Sequence, residues 1–421
     1  MPETTHTPAT RAPEEVQSVE ETACCIVGGG PAGAVLSLLL ARQGIAVTLL
    51  EMHNDFDRDF RGDTIHPSVM EVLDQLGLAD RLLQLPHGKI RSATVQTPSG
   101  PFRPIDLGRL KTRFPYVVML PQVQFLNFIV GEAKRYPSFK LVMGANVQRL
   151  LEEDGVVRGV RYRDTGNHWH EVRALLTVGA DGRFSRVRHL AGIKPVETAP
   201  PMDVLWFRLP RRPGDVEDAA GGVFGRGQLL VMLNRAEDWQ LAYVFPKGGY
   251  QQIKQAGLDA LRRSIAELAP WLADRVDLLR DWDQVSLLSV ASSRVKRWYK
   301  PGLLLIGDAA HVMSPVGGVG INYAIQDAVA TSNLLSGPLK ALRVRPRDLA
   351  AVQRRREWPT RVIQAFQGAI QRRVLARALR GDRPLRIPTL VRLLVKLPLL
   401  RDLPARLLAF GPRREHVEAG L

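Results

Sequence analysis

The spacing of apolar residues changes several times along the chain, and each change marks an element. Residues 23–30, ACCIVGGG, are a short apolar run that breaks into three glycines. PAGAVLSLLLARQG follows with helix-forming composition as far as Gly44, and IAVTLLE (45–51) is a second apolar run that ends on an acid. Strand, glycine turn, helix and strand in this order predict a βαβ unit with parallel strands and a right-handed crossover. HPSVMEVLDQLGL (66–78) and LPQVQFLNFIVGEAKRY (120–136) read as helices. KIRSATVQTP, FKLVMGANVQRLLEE, GVVRGVRYRD and HEVRALLTVGADG alternate as strands do, with glycine or proline between them.

From about 195 to 290 the character changes. LLVMLNRAEDWQLAYVFPKG has the look of an antiparallel hairpin, and GLDALRRSIAELAPWLADRVDLL of a helix after it. Residues 323–421 read as helical, with prolines at 384, 388, 398, 404 and 412 cutting the end into short pieces. The pattern predicts an α/β protein. A Rossmann-like nucleotide-binding domain carries an inserted mixed or antiparallel sheet on the substrate side and a helical C-terminal region. The expected divisions are a disordered tail at 1–20, the first part of the nucleotide-binding domain at 21–190 (with some substrate-side strands), the substrate sheet at 191–290, the closing part at 291–340 and the helical region at 341–421.

Composition narrows the setting. Apolar residues at 45% and charged residues at 24% are ordinary for a globular protein. The two cysteines, Cys24 and Cys25, are neighbours on a strand and point to opposite faces, so no disulfide joins them and a reducing, cytoplasmic setting is expected. The first 21 residues lack a basic stretch followed by an apolar one, which excludes a secretory signal, and no apolar run of about 18 residues appears to cross a membrane.

The net charge of +16 is concentrated at one end, with 19 basic and 6 acidic residues after position 340. There Leu390, Leu393, Leu394 and Leu397 stand at helical spacing with Arg392 and Lys396 opposite. Such a basic amphipathic helix either caps the nucleotide-binding domain or touches an anionic membrane surface as a peripheral contact. Without interleaved aromatics it does not read as a nucleic-acid binder.

Three glycine motifs carry the chemistry. Gly28, Gly30 and Gly33 form G-x-G-x-x-G between strand and helix, with Pro31 and Ala32 opening the helix. Their expected roles are the tight turn, close approach of a pyrophosphate, and close helix packing. Glu51, at the end of the second strand, is placed to accept ribose hydroxyls. The second motif is GADGRFSRVR (179–188), with Asp181 and Gly182 after an apolar strand. The third is GDAAHVMSPVGGVGIN (307–322), where an apolar run meets an acid, a histidine and a glycine-rich loop.

GGGPAG, then GADG with S-R-x-R, then GDAAH-x-x-x-P-x-x-G-x-G-x-N-x-x-x-x-D, in this order over about residues 23–335, resembles the para-hydroxybenzoate hydroxylase-like family of flavoprotein monooxygenases. The resemblance implies a GR2-type FAD-binding fold, FAD as cofactor and NADH or NADPH as co-substrate. It implies that O2 forms a flavin C4a-hydroperoxide that hydroxylates or epoxidises an apolar or aromatic small molecule. By the same resemblance Gly307 and Asp308 meet the ribityl chain, Arg61 reaches the FAD phosphates, and Asp181 and Gly182 serve the pyrophosphate region and passing NAD(P)H. Gln122 sits in a FAD-contacting helix, with Gln124 as an alternative alignment.

Pro315, Gly317, Gly318, Gly320, Ile321 and Asn322 belong to the loop along the isoalloxazine ring, where glycine would let backbone donors come close. The flavin, not a side chain, carries the oxygen, so no residue is assigned as catalytic acid or base. Val319 departs from the Gln or Lys of many members.

Relatives of the isoprenoid-reductase type share GGGPAG and GDAA, so a flavin reductase acting on a lipid-like substrate is the second reading. The halogenase signature W-x-W-x-I-P is absent. HWHE (168–171) lacks a third ligand and reads as a hairpin tip, so no metal is expected. Trp206, Trp239, Trp282 and Trp298 either fill the core or line a pocket.

Overall fold

The computed structural model describes residues 15–57, 62–97, 100–215, 219–225, 227–235, 237–381, 397 and 401–418. Its centre is a parallel sheet in the order 303–305, 169–179, 16–27, 47–50 and 139–142. The βαβ unit expected at 23–51 is present, with strands Val16–Val27 and Val47–Leu50 joined through helix Pro31–Arg42. That helix is apolar nearly all round, and Ala32 through Ala41 are all buried. It packs on helices Gln122–Ala133 and Gly320–Lys340, which explains its lack of a polar face.

Register does the organising. Val27 lies opposite Gly179 on one side and Leu50 on the other, and Gly179 lies opposite Leu305. The three glycine motifs and Glu51 therefore leave the sheet at one level along its carboxyl edge, where ligands of open α/β sheets bind.

The first strand begins at Val16, inside the segment expected as a disordered tail. Ser18 and Glu20 pair with His170 and Val172, so the strand extends as far as its partner does. An antiparallel hairpin, Asn146–Glu153 and Val156–Arg163, covers the same end of strand Trp169–Gly179. His168 and His170 both contact the Asp164 carboxylate at the tip of this region, at 3.3 and 3.1 Å. The described residues contain no group of three or more potential metal ligands.

A second sheet of seven strands runs 286–288, 202–210, 238–246, 229–234, 219–224, 92–97, 100–106. Two of its strands come from before residue 190. The expected hairpin is there, with Leu233 opposite Gln240. One face of this sheet, including Leu205, Phe207, Leu230, Leu241 and Phe245, packs on Leu261 and Ile265 of helix Leu258–Leu268. The helix expected over 257–279 stops there because Pro270 follows, and two short turns, Pro270–Leu272 and Val276–Leu278, complete the segment.

Helix Gly320–Lys340 and helix Pro346–Ile370 begin the C-terminal region, the latter running into a π-helical turn at Gln371–Leu375. Of the amphipathic segment 390–397 only Leu397 is among the described residues. No described helix is long and apolar enough to cross a membrane.

The last helix, Leu403–Phe410, is held to the nucleotide-binding domain by His66, whose Nδ1–H donates to the Leu408 carbonyl at 2.8 Å. Burial pushes this imidazole down to about 4, against the opposing pull of the Leu408 and Gly318 carbonyls. The unfolded chain thus takes up a proton, below about pH 6.5, that the folded one refuses until about pH 4. Acidification through that window should remove up to about 3 kcal/mol of stability. Melting curves between pH 7 and 4 should show His66→Gln losing less stability than the wild type; parallel curves would remove His66 from the acid response.

Candidate active site

The three motifs close over one cavity of about 2020 Å3 that reaches from the carboxyl edge of the parallel sheet to the open face of the second sheet. Each glycine of the first motif has a separate cause. Gly28 has φ +106°, and a Cβ there would stand 2.5 Å from the Ala180 oxygen, because the two motif turns leave adjacent strands side by side. A Cβ at Gly33 would meet the Gly28 oxygen at 2.0 Å, so this glycine sets the helix against the turn. Gly30 has no protein atom within 4 Å of that position. It is the N-cap of helix Pro31–Arg42, without a side-chain cap, and it lies on the cavity wall with Pro31 and Ala32. Free N–H groups at the positive end of a helix beside open space form a cradle for an anionic pyrophosphate.

Glu51 borders the same space. Its Oε2 accepts from Gly29 N–H at 2.8 Å and its Oε1 from His53 N–H at 3.0 Å, so the carboxylate is held in one orientation at the cavity wall. Asp181 is committed within the protein: its oxygens accept from Ser185 Oγ at 2.5 Å and from Val187 N–H at 2.9 Å. It therefore shapes the short helix Arg186–Leu190, while Gly182, at φ +80°, leaves the wall bare beside it. Arg188 of that helix donates to the Ala309 carbonyl at 3.0 Å and so joins the second motif to the third. Gly307 takes φ +58° at the turn, and Asp308 lies on the cavity wall.

The glycines of the loop Pro315–Gly320 also have a local cause. Gly317 and Gly318 have φ of +82° and +62°, and added Cβ atoms would strike Leu408 and Thr64. They make the turn, with Gly318 N–H donating to the Pro315 carbonyl at 3.0 Å. Gly320 has only a distant neighbour, Met313 Cβ at 4.0 Å, and begins its helix without a side-chain cap. Pro315, Gly317, Gly318, Gly320 and Ile321 all line the cavity.

Asn322 is a buried brace behind the wall. Its Oδ1 accepts from His66 N–H at 2.8 Å, and its Nδ2 donates to the Thr64 and Gly318 carbonyls. Val319 is buried with Met313, Tyr323 and Ile363, so the departure at this position alters a small core behind the loop.

Gln122 lines the cavity and its N–H donates to Asp63 Oδ1 at 3.2 Å, whereas the Gln124 side-chain oxygen is buried away from the wall. Arg61 lies outside the described residues. His311 pins the turn, its Nε2 lying 2.6 Å from Asp327 Oδ2. Of the four tryptophans only Trp206 lines the cavity; Trp239 and Trp298 are core residues, and Trp282 packs edge-on to Tyr250.

Two site residues had no motif to announce them. Gln367 donates to the carbonyls of Ser314 and Val316, and Gln371 to Ser314 Oγ, so helix Pro346–Ile370 and the turn after it hold the front of the loop. Their one signal in the chain is two glutamines four residues apart on a helix.

An FAD binding domain family model matches residues 21–365. A 6-methylpretetramide 4-monooxygenase of Streptomyces rimosus is 35% identical over 405 residues, 95% of each chain. The chain belongs to the FAD-dependent aromatic monooxygenase family. A 12-dehydrotetracycline 5-monooxygenase/anhydrotetracycline 6-monooxygenase of the same species is 28% identical over 72% of this chain and 60% of its own length. Among solved structures, OxyS anhydrotetracycline hydroxylase from Streptomyces rimosus superposes with TM-score 0.72 at 23% identity, covering 92% of this chain and 76% of that one. P. aeruginosa PqsL in complex with 2-aminobenzoylacetate gives TM-score 0.75 at 19% identity, covering 86% and 99%. The protein is an FAD-dependent oxidoreductase. The open cradle at Gly30 and the uncapped helix at Gly320 fit the two ends of that cofactor.

Gly30→Ala places a methyl where no protein atom stands. It should leave the melting temperature of the apoprotein unchanged and lower FAD affinity roughly tenfold or more, because the pyrophosphate needs that space. Gly28→Ala should instead lose folded protein outright. Differential scanning fluorimetry and flavin absorbance of the purified variants separate the two outcomes, and full flavin retention by Gly30→Ala would remove the phosphates from this turn.

Proposed function

We propose that this protein is a single-component, NADH- or NADPH-consuming monooxygenase that hydroxylates a flat, apolar, fused-ring aromatic small molecule in the cytoplasm. The observation that carries this reading is the cavity itself. At about 2020 Å3 it is at least twice the roughly 300–1,000 Å3 of an ordinary small-molecule pocket, so it has room for FAD and a sizeable substrate together. Its substrate-side wall is a pleated face of small and aliphatic side chains, including Val204, Ala242, Val244 and Val231, suited to a flat apolar ligand. The names of its relatives, which act on pretetramide and anhydrotetracycline compounds, support the same class.

FAD, when bound and reduced by NAD(P)H, supplies the activation of O2. The chain's own residues position and shield. Gly28 to Ala32 and Glu51 would hold the dinucleotide end, and Asp308 lines the same cavity. The N–H groups at Gly320, at the positive end of a long helix on the cavity wall, would stabilise negative charge on the cofactor. Gln367, Gln371 and Asn322 keep the loop in place during turnover. Buried walls keep water from the reactive oxygen. The balance is one NAD(P)H, one proton and one O2 consumed, one oxygen atom inserted into a C–H bond and the other released as water.

The buried, unpaired Cys24 and Cys25, whose thiols burial pushes up, support a reducing compartment. A peripheral membrane contact rests on residues 390–397 alone and has no support from the described structure.

Turnover under 18O2 with NADH or NADPH and a panel of hydroxylated anthracyclines and tetracyclines tests the reading by mass spectrometry. Product carrying one labelled oxygen is the expected result. Oxygen-independent product carrying two extra hydrogens would replace the monooxygenase by a reductase.

A further inference from the structure

The central strands of the sheet wall, 202–210, 238–246 and 229–234, present apolar side chains to the cavity except near the turn of the 229–246 hairpin, with Ser286, Ser92 and Thr94 lining it from the strands outside them. Along strands Met202–Pro210 and Asp238–Pro246, alternate residues face the cavity, and Trp206 pairs with Ala242 while Arg208 pairs with Gln240. Trp206 and Gln240 are thus diagonal neighbours on one face, with Cα atoms about 7–8 Å apart. The hairpin turn leads to Arg235, whose Nε lies 3.2 Å from Asp63 Oδ2, both side chains being buried. Asp63 precedes Thr64, whose hydroxyl donates to the Gly318 carbonyl at 2.8 Å, so this polar patch abuts the loop Pro315–Gly320.

Two side chains of the patch line the cavity and carry a polar atom that no protein group satisfies, Trp206 Nε1 and Gln240 Oε1, and beside them Asp63 Oδ2 has Arg235 Nε as its partner. Gln240 and Asp63 are 4% and 6% exposed. A buried polar atom without a partner is costly, and two at one end of an apolar stretch of wall mark where a ligand's polar edge belongs. The atoms also define that edge. The indole N–H needs an acceptor and the amide oxygen a donor, while the Asp63 carboxylate keeps room to accept a further hydrogen bond beside that of Arg235.

Taking the proposed function as given, we infer that Trp206, Gln240 and Asp63 select a fused-ring substrate that presents a ketone oxygen beside a phenolic or enolic hydroxyl. The ketone accepts from Trp206, and the hydroxyl donates to Gln240 or Asp63. Arg235 and Arg208 lie close enough to draw the Asp63 carboxyl downward, against the larger upward push of burial. Turning the same edge away from the patch would leave hydroxyls against valine and alanine. The patch therefore fixes which ring edge lies next to the loop, and with it the position that is hydroxylated.

The test uses the FAD-loaded protein without NAD(P)H, titrated with alizarin and with its dimethyl ether, and follows tryptophan and flavin fluorescence. Gln240→Leu should weaken alizarin about tenfold or more, since its hydroxyl loses an acceptor, and change the ether less than about twofold. Trp206→Phe should weaken both, because both keep the ketone. Gln240→Glu, which keeps an acceptor, should restore alizarin binding and shows that loss in Gln240→Leu is not misfolding. Equal effects of Gln240→Leu on the two ligands, or none, would overturn the inference. Since no reductant is present, this result is independent of turnover. Selective binding without labelled-oxygen transfer would count against the monooxygenase reading alone, and oxygen transfer indifferent to Gln240 against the recognition patch alone.

Discussion

The arrangement depends on one buried carboxylate. Asp327 is wholly inaccessible, and its Oδ2 accepts from Gly307 N–H at 3.0 Å and faces His311 Nε2 at 2.6 Å, while its Oδ1 accepts from Arg356 Nε at 2.8 Å. Burial by itself would raise this acid, yet His311 and Arg356 outweigh it and hold it low, so it stays ionised. Arg356, equally buried, continues to Glu415 Oε1 at 3.2 Å and lies over the Tyr323 ring. One charge network thus joins the turn after strand 303–305, both long helices and the C-terminal segment. Removing one member would leave a buried charge uncompensated, a loss of roughly 3–5 kcal/mol in comparable cases, whereas the intact set costs little beyond its desolvation. The loop Pro315–Gly320 lies between Gly307 and Asp327, so its shape is inherited from this network.

What the chain revealed beforehand was the local part. A strand that breaks into Gly28, Gly30 and Gly33 announces its turn because each glycine answers a constraint within a few residues or at the next strand. The acid at Glu51 follows from the same βαβ geometry. The agreement in level of Val27, Gly179 and Leu305, which turns three motifs into one site, is a matter of strand register and appears only in the fold. The Asp327 network was hidden for the same reason. Arg356 and Glu415 stand 29 and 88 residues from Asp327 in helical or irregular segments, and nothing near either one marks it. Gln240 reads as an ordinary polar residue of a strand until Trp206, Leu233 and Ala242 are found around it on the cavity face.

The glycine loop shows how one motif can answer two demands. Gly317 and Gly318 line the cavity, yet the Cβ positions beside them are taken by Leu408 and Thr64. The positive φ angles there already exclude other residues, whatever lies in the cavity. Gly320 has open space at its Cβ position and begins a helix without a side-chain cap. The two functions, turn and approach, are divided among glycines that look equivalent in the sequence.

The second sheet divides its labour by face. Odd positions of strand Met202–Pro210, such as Leu205 and Phe207, pack into a closed core with helix Leu258–Leu268, and even positions such as Val204 and Trp206 face the cavity. A strand apolar on both faces would ordinarily be covered on both. Here the second face borders the cavity, and the chain tolerates the apolar wall because the cavity is roofed by the loop and by Ile370, Val374 and Ala378 around the π-helical turn. The residues that close the cavity therefore follow directly, along one helix, from Arg356, which secures the loop Pro315–Gly320. Any shift of that helix that loosened the network would open the substrate end as well, so cofactor geometry and substrate enclosure are coupled through a single rigid element.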